Sequence, residues 1–251
     1  MAIVLITGAT SGFGEACAKK FAANGYDLII TGRRQERLQL LQQQLEQQHS
    51  IKVLPLTFDV RDEKAVTGTL NAIPEQWKSV DILINNAGLA LGVNSIEEGV
   101  LSEWDTMIDT NVKGLLYVSR TVIPWLKAKG RGHIINLGST AAKIAYAKGN
   151  VYCATKAAVD SISQSMRIDL LPYHIKVTAV HPGAAETEFS VVRFNGDKEK
   201  ADNVYKGFKP LQPEDVADTI FYCASLPAHV CINDLVITCL QQANAYYTIK
   251  N

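Results

Sequence analysis

The sequence lacks an excess of charge of either sign, and it lacks long apolar runs. Its 251 residues include 25 lysines and arginines and 25 aspartates and glutamates, so the formal net charge is zero. Surfaces that bind nucleic acid or anionic membranes usually carry a basic excess, so neither partner is expected. No stretch approaches the roughly 20 consecutive apolar residues of a membrane helix, and the apolar residues 1–6 lack the basic flank of a signal peptide.

Cysteine and histidine are also scarce, with five of each. The cysteine count is odd and includes no C-x-x-C pair, which argues against a disulfide framework and against a zinc site. The histidines form no H-x-x-x-H or similar ligand cluster, so no metal site is expected. This composition favours a globular protein of a reducing compartment, the cytoplasm.

What the sequence does contain is a regular alternation of strand and helix patterns. Short apolar runs predict seven strands, at residues 2–6, 28–31, 51–58, 80–84, 133–137, 175–180 and 230–237. Amphipathic segments predict helices at residues 14–23, 35–48, 62–72, 102–112, 114–129, 151–171 and 213–224. The strand runs are almost continuously apolar, which is typical of a parallel sheet that is buried on both faces.

This alternation predicts one α/β domain over residues 1–251. Its architecture should be a Rossmann-like, doubly wound parallel sheet of about seven strands with helices on both faces. Residues 184–211 form the one long irregular stretch, which is polar and contains glycine. Such a segment is more often a mobile cover than a domain boundary, and we expect a substrate lid there.

A glycine-rich turn lies between the first predicted strand and the first predicted helix. Glycines let the backbone turn sharply and approach a pyrophosphate, while a helix N-terminus supplies free N–H groups. The spacing is neither G-x-G-x-x-G nor that of a Walker loop, and a turn of this kind can also be a loop without a ligand. Its position after the first strand favours nucleotide binding, and the candidate residues are Gly8, Ala9, Thr10, Ser11, Gly12, Phe13 and Gly14.

The second predicted strand is followed by Arg33 and Arg34. A site selective for NAD usually has an acidic side chain here, whereas guanidinium groups suit the 2′-phosphate of NADP. NADP is therefore the predicted cofactor, although the two arginines could simply solvate and cap the next helix. Asp59 and Val60 follow the third strand and could meet the adenine edge, and Asp59 could equally be a helix N-cap.

Seven motifs in register extend this prediction to a family. They are Thr7–Gly14, Asp59-Val60, Asn85-Asn86-Ala87-Gly88, Asn111, Ser139, Tyr152-x-x-x-Lys156 and Pro182-Gly183-x-x-x-Thr187. In their order and spacing the chain resembles the short-chain dehydrogenase/reductase superfamily over about residues 2–240. Any one of these motifs is weak, but seven in register are specific.

Further segments resemble one subgroup, the NADP-dependent 3-hydroxy acid dehydrogenases, which includes serine and allo-threonine dehydrogenases. These segments are residues 31–38, 107–111, 187–190, 192–194 and 226–230. The resemblance implies hydride transfer between NADP(H) and the 3-hydroxyl or 3-oxo carbon of a small 3-hydroxy acid. L-serine, L-allo-threonine and the pair 3-hydroxypropanoate/malonic semialdehyde are substrates of this type.

Tyr152 and Lys156 are the expected catalytic pair, because residues i and i+4 of a helix share one face. A tyrosine hydroxyl has a pKa of about 10, and we expect the Lys156 ammonium to lower it. The resemblance implies that Tyr152 donates and accepts the proton and that Lys156 also holds the nicotinamide ribose. It further implies that Ser139 bonds the substrate oxygen and that Asn111 positions a water. The remaining implied cofactor contacts are Asn86, Ala87, Gly88, Pro182, Gly183 and Thr187.

Several of these residues have simpler explanations. Ser139 could cap the end of a strand, Asn111 could cap or bend its helix, and His181 could be structural or catalytic. A serine hydrolase would use Ser139, but it would need G-x-S-x-G and a nearby histidine, and the sequence indicates neither. A non-catalytic NADPH-binding protein could have lost Tyr152 or Lys156, yet both are present. Within the enzymes, the alternative is a reductase of other ketones or aldehydes.

A 3-hydroxy acid needs a cation near its carboxylate, and Arg193 is the predicted one. It lies six residues after Thr187 in the predicted lid, and guanidinium binds carboxylate bidentately. The alternative is a surface arginine in an ion pair. The other candidate cations near the site are Lys143 and Lys148, and the candidate acidic partners of Arg193 are Glu186, Glu188 and Asp197.

The resemblance also implies a homo-oligomer, a dimer or a tetramer. In the family it forms through helices that correspond to residues 102–129 and 151–171. Ala154, Ala157, Ala158 and Ser161 are small enough for another helix to approach closely.

Overall fold

The computed structural model describes residues 1–251, and its centre is a sheet of seven strands. The strand order is β3-β2-β1-β4-β5-β6-β7, and every neighbouring pair is parallel. The strands are β1 Ile3–Thr7, β2 Asp27–Gly32, β3 Val53–Thr57, β4 Val80–Asn85, β5 Gly132–Leu137, β6 Ile175–Pro182 and β7 Asp234–Ile237. This order confirms the predicted doubly wound sheet.

Nine helices connect the strands or cover the sheet. They are α1 Gly12–Ala23, α2 Gln35–Gln48, α3 Glu63–Asn71, α4 Leu101–Ile108, α5 Leu115–Lys129, α6 Asn150–Leu170, α7 Glu188–Arg193, α8 Lys198–Tyr205 and α9 Pro213–Ser225. Helices α1, α2 and α9 pack on one face of the sheet, and α3, α5 and α6 pack on the other. No helix combines the length and apolar character needed to cross a bilayer.

The apolar strands follow from these two covered faces. Along β1, Val4 and Ile6 belong to the core under α1, whereas Ile3 and Leu5 belong to the core under α5. Successive strand residues point to opposite faces, so a strand covered on both sides needs apolar residues at nearly every position. The burial explains why the sequence shows continuous apolar runs and not an alternation of apolar and polar residues.

Two predictions of where secondary-structure elements begin and end were wrong. The last strand begins at Asp234 and not at residue 230. Side chains of β6 take the earlier carbonyls, since Lys176 donates to Val230 and Thr178 to Ile232, and the backbone ladder begins with the Ala179 amide donating to the Asn233 carbonyl. The two predicted helices at 102–112 and 114–129 are joined by a π-helical turn, Asp109–Gly114, so that α4 and α5 form one continuous helical segment.

The segment predicted as an irregular lid contains regular structure. Residues 184–211 include α7 and α8, and each begins with a side-chain cap: Thr187 accepts from the Phe189 amide, and Asp197 accepts from the Lys200 amide. Such caps satisfy N–H groups that an isolated short helix leaves unpaired. The prediction of an irregular segment was therefore wrong, while its assignment as a lid stays a prediction.

Candidate active site

A cavity of about 470 Å³ opens at the carboxyl ends of the strands. It lies where the strand order reverses between β1 and β4, the usual position of a ligand in a doubly wound sheet. Residues from five parts of the chain line most of it: the glycine-rich turn, the segments after β2 to β6, helix α6, the segment that carries α7 and α8, and the C-terminal segment with Gln242 and Ala245. The cavity therefore brings together most of the residues predicted from sequence, including Arg33, Arg34, Asn86, Ser139, Tyr152, Lys156, Thr187 and Arg193.

The glycine-rich turn leads directly into α1, with its backbone toward the cavity. A Cβ at Gly14 would lie only 2.3 Å from the Gly8 carbonyl oxygen, so a side chain at position 14 would push the turn apart. Asn86 holds the turn from the β4 side, because its Nδ2 donates to the carbonyls of Thr7 at 2.8 Å and Gly8 at 3.1 Å. Ser11 precedes α1 without a side-chain cap, which leaves first-turn amides for an anion.

The arginines after β2 differ in their surroundings. Arg33 has a side chain that is 61% exposed, and its nearest acidic partner, Asp59, is 3.8 Å away. Arg34 instead donates to Thr10 and Ser11 of the glycine-rich turn and to Glu188 Oε2 at 2.9 Å. The same Glu188 carboxylate accepts from Arg37 at 2.7 Å. A cluster of guanidinium groups thus stands at this end of the cavity, with one carboxylate from the first turn of α7 against it.

Asp59 and Val60 also line the cavity. The Asp59 carboxylate accepts from the side chain of Arg61, and partial burial alone would raise its pKa, but Arg61 keeps that pKa below the ordinary value. Asp59 is therefore not the N-cap of α3; that position belongs to Asp62, whose side chain accepts from Ala65 N.

Tyr152 and Lys156 lie on one face of α6, as their spacing predicts, and both are buried. The Lys156 ammonium donates to the Leu137 carbonyl at 2.8 Å and lies 6.0 Å from the centre of the Tyr152 ring. Burial lowers the pKa of Lys156 to about 8. Burial raises the pKa of Tyr152, with Tyr146 adding to the rise and Ser139 and Arg193 partly opposing it.

The predicted lowering of the Tyr152 pKa by Lys156 was therefore wrong. The lysine is itself desolvated and directed to a backbone carbonyl, so removal of the phenol from water is the larger effect. Tyr152 therefore keeps its proton at neutral pH, as an ordinary tyrosine does, and its raised pKa makes it a weaker acid in the absence of cofactor.

The structure shows the simpler feature of Ser139 and Asn111, and their roles toward substrate and water stay predictions. Ser139 Oγ accepts from Ala141 N at 3.1 Å, so it does cap a short turn after β5, and it also lowers the pKa of the neighbouring Tyr152. Asn111 lies in the π-helical turn, where its side chain bonds both backbone groups of Leu89 and donates to Thr155 on α6. Asn111 thereby ties the chain after β4 to the helix that carries Tyr152 and Lys156.

The chain after β6 closes the far wall of the cavity. Pro182 ends β6, and the Gly183 amide donates to the Ile237 carbonyl of β7 at 2.8 Å. Thr187 lies at the start of α7 and approaches the glycine-rich turn, where a Cβ at Gly12 would lie 3.4 Å from Thr187 Cβ. Two segments predicted to contact the cofactor, those of Gly12 and Thr187, thus approach each other at the cavity.

Arg193, at the end of α7, turns inward and not toward the surface. Its Nη1 donates to the Tyr146 hydroxyl at 3.0 Å, and its guanidinium lies 5.9 Å from the Tyr152 ring centre. Its Nε is buried and has no hydrogen-bond partner. The alternative of a surface ion pair was wrong for Arg193, because its side chain bonds Tyr146 and no carboxylate: Glu188 pairs with Arg34 and Arg37, Asp197 pairs with Lys200, and Glu186 forms no ion pair.

His181 lies next to Ser139, which the sequence did not indicate. It is completely buried on β6, and its Nδ1 is 3.3 Å from the Ser139 amide nitrogen. The expectation that Ser139 has no nearby histidine was therefore wrong. This imidazole contacts the Ser139 backbone and not its hydroxyl, so the arrangement does not form a hydrolase triad.

Two carboxylates lie at the other edge of this imidazole. A ring nitrogen of His181 and one carboxylate oxygen each from Asp160 and Asp234 all lie within 4.8 Å of one another. The Lys143 ammonium donates to both carboxylates and supplies positive charge there. Lys143, one of the two alternative cations for a substrate, is thus engaged away from the cavity.

Sequence reasoning missed Asp160, Asp234 and Tyr146 as neighbours of the site, and it named Glu188 only as a candidate partner of Arg193. Asp160 had a signal, because it continues the row of Tyr152 and Lys156 by one more helical turn. Tyr146 and Glu188 lie close in sequence to the predicted site residues Tyr152 and Thr187, but no motif marks them. Asp234 comes from a distant segment that only the folded chain brings to His181.

Comparison with known proteins agrees with this geometry. The family model described as short chain dehydrogenase matches residues 2–197. The chain is 47% identical over 244 residues to an NADP-dependent 3-hydroxy acid dehydrogenase (YdfG) of Salmonella typhi, covering 97% of each protein. It is 48% identical over 248 residues to sulfoacetaldehyde reductase 2 of Chromohalobacter salexigens, covering 98% of each.

A solved structure supports the same relationship. The closed form of a serine dehydrogenase complexed with NADP+ superposes with a TM-score of 0.92 at 45% identity, covering 99% of each chain. Together with the family match, this confirms the resemblance seen in the sequence. The chain belongs to the short-chain dehydrogenase family and is an oxidoreductase of that family.

Proposed function

We propose that this enzyme transfers hydride between NADP(H) and the 3-hydroxyl or 3-oxo carbon of a small 3-hydroxy acid. L-serine, L-allo-threonine and 3-hydroxypropanoate/malonic semialdehyde are the candidate substrates. The names of the relatives support the reaction type. The observation that carries the substrate class is the buried Arg193 Nε without a protein partner beside Tyr152.

The cavity residues fit NADP. The glycine-rich turn at the start of α1 offers backbone amides to a pyrophosphate, and Arg33 and Arg34 offer positive charge to a 2′-phosphate. A structural relative was solved with NADP+, and a sequence relative is named as NADP-dependent. When bound, NADP(H) supplies or accepts the hydride.

The chain's own residues then handle the substrate oxygen and its proton. Tyr152 is protonated at neutral pH, since the ordinary tyrosine pKa of about 10 is raised further by burial, and the phenol can donate its proton to the oxygen of a carbonyl during reduction. The Ser139 hydroxyl lies beside that phenol and can bond the same oxygen. Lys156 and Asn111 hold the surrounding frame through the Leu137 carbonyl, the Leu89 backbone and Thr155.

Arg193 would bind the substrate carboxylate. Its Nε is buried and therefore costly to leave without a partner, and an oxyanion is the group that best satisfies a guanidinium. Lys143 is engaged by two carboxylates. Lys148 is exposed, so Arg193 is the one of the three candidate cations that lines the cavity.

A second candidate substrate is a small aldehyde that carries a sulfonate. One relative at 48% identity is named a sulfoacetaldehyde reductase. A sulfonate is an oxyanion, so the same Arg193 could bind it. The two candidates share the reaction and differ only in the anionic group.

The test compares kcat/KM for malonic semialdehyde, sulfoacetaldehyde and uncharged propanal in the wild type and in Arg193→Met. We expect Arg193→Met to raise KM for the anionic substrates at least about tenfold, the loss of one charge-assisted contact, with little change for propanal. Arg193→Lys should recover part of the effect, and Arg131→Met, at an exposed position, serves as the control. Equal losses on charged and uncharged substrates would mean that Arg193 only shapes α7.

We also propose that copies of the chain associate as a dimer or tetramer in the cytoplasm. The helices predicted to form the interface carry exposed apolar side chains, including Leu101, Leu116 and Ile168. Large exposed apolar groups often mark association surfaces. Sedimentation velocity should show a dimer or tetramer, and Ile168→Glu should shift it toward the monomer.

A further inference from the structure

His181 is in closest contact with the part of the chain that presents Ser139 to the cavity. Its Nδ1 lies 3.3 Å from the Ser139 amide nitrogen and 3.2 Å from the Ser139 carbonyl oxygen. The ring also packs against Gly138, where a Cβ would lie 2.3 Å from Nδ1. Position 138 must therefore be glycine for the imidazole to reach the Ser139 backbone.

The opposite edge of the ring faces charged groups from two other elements. Nε2 lies 3.1 Å from Asp234 Oδ1 on β7 and 3.7 Å from Asp160 Oδ1 on α6, without an aligned hydrogen bond to either. Lys143, just after the turn that Ser139 caps, donates to both carboxylates. These three groups are the charges that face His181.

The same cluster is tied to the catalytic helix. Asp160 follows Tyr152 and Lys156 at intervals of four residues on α6, so the three side chains form one row. His181 thus has the Ser139 backbone on one side and the end of the Tyr152 row on the other. A change at His181 can alter the position of Ser139 relative to Tyr152.

We infer that His181 is a positioning residue that keeps the Ser139 hydroxyl aligned with Tyr152. Its neutral imidazole accepts the Ser139 amide hydrogen at Nδ1 and directs Nε2–H toward Asp234. This inference rests on the proposed function, in which both hydroxyls bond one substrate oxygen. A protonated imidazole has no acceptor left and can only donate toward the Ser139 carbonyl. Protonation would therefore reverse the contact and move the peptide that carries the serine.

Burial and the charges around the ring set the pH at which the imidazole becomes protonated. Burial lowers the pKa of His181, Lys143 lowers it further, and Asp234 and Asp160 oppose the shift. The neutral form is therefore maintained above this lowered pKa and is lost as the pH falls through it. The rate constant kcat should therefore fall at low pH. The midpoint of this fall, the acid limb of the pH profile, should depend on these neighbours.

The first experiment measures the pH profile of kcat in charge variants. Lys143→Met removes a cation, so it should raise the His181 pKa and move the acid limb to higher pH by about one unit. Asp234→Asn removes an anion and should move the limb in the opposite direction. Arg131→Met is the control and should leave the limb unchanged. Shifts in the same direction, or no shift in either variant, would overturn the inference.

The second experiment separates positioning from folding. His181→Leu should lower kcat about ten- to a hundredfold with unchanged NADPH affinity, because a small displacement of a catalytic group is enough to slow the reaction. His181→Asn, which still offers an acceptor oxygen, should restore part of kcat. If His181→Leu keeps kcat within about twofold of the wild type, with an unchanged circular dichroism spectrum, His181 does not position Ser139.

A third measurement does not depend on activity. Nitrogen NMR of histidine-labelled enzyme should show His181 as the Nε2–H tautomer at neutral pH, and observation of the Nδ1–H tautomer would refute the inference. An enzyme inactive on every carbonyl tested would refute the proposed function instead, while the tautomer would still decide the role of His181.

Discussion

The two ends of the cavity use charge in different ways. At the nucleotide end, Arg33, Arg34 and Arg37 are 41–61% exposed, and their partners are partly exposed carboxylates and the glycine-rich turn. At the catalytic end, Tyr152, Lys156 and His181 are buried. The first region resembles a solvated patch, and the second resembles a polar core.

This difference determines what a single substitution can cost. Exposed ion pairs are screened by water and contribute only about 0–1 kcal/mol each. A buried polar group that loses its partner costs about 1–3 kcal/mol or more, because water no longer compensates it. Substitutions at the catalytic end should therefore slow the reaction strongly, whereas those at the nucleotide end should change which cofactor is used.

The largest effect is expected for Tyr152→Phe. It removes only the transferable proton, so kcat should fall by about 10²–10⁴ while NADPH affinity in a fluorescence titration stays nearly unchanged. Lys156→Ala should reduce both kcat and NADPH affinity, since Lys156 is expected to contact the cofactor. A Tyr152→Phe enzyme that retains a tenth of kcat would contradict the catalytic assignment.

The raised pKa of Tyr152 also predicts a pH dependence. Alcohol oxidation requires the phenolate as proton acceptor, and the fraction of phenolate grows with pH up to the pKa. In the wild type, oxidation should therefore continue to rise between about pH 7 and pH 10, the ordinary tyrosine pKa, and should not level off near neutrality. A plateau near neutral pH would show that the bound cofactor outweighs the effect of burial.

A smaller effect, and one of specificity, is expected for Arg33→Asp. Loss of charge-assisted bonds to a 2′-phosphate, at about 1.5–3 kcal/mol each, should weaken NADP+ binding by one to two decades per contact. NAD+ has no such phosphate and should be used as before. A wild-type enzyme that turns over NAD+ as efficiently as NADP+ would show that the arginines do not select the cofactor.

The smallest effect is expected for Glu188→Gln. Partial burial would raise the pKa of Glu188, but hydrogen bonds from Arg37 and Arg34 keep it below the ordinary value, so this carboxylate is charged and offsets one of the two positive charges. Removing the charge should tighten NADP+ binding about two- to fivefold relative to NAD+, within the range of exposed ion pairs. Glu199→Gln, on α8, is the matched control. Equal changes for both cofactors would indicate a structural effect on α7.

The sequence predicted the fold and most of the candidate site because these depend on local patterns. Apolar runs marked the strands, and the glycine-rich turn and the Tyr152–Lys156 spacing marked two walls of the cavity. The errors lie where distant segments meet. The early part of the predicted last strand gives its carbonyls to side chains of α6 and β6, and no pattern within residues 230–237 indicates this.

Sequence alone thus determined the α/β alternation, the positions of the catalytic side chains along the chain, and the concentration of arginine after β2. Tertiary structure decided the electrostatics of the site. Burial raised the pKa of Tyr152, left Arg193 Nε without a protein partner and placed His181 behind Ser139. Desolvation and the meeting of β5, β6, β7 and α6 are properties of the packed chain, because a residue's distance from water and from remote charges exists only after folding.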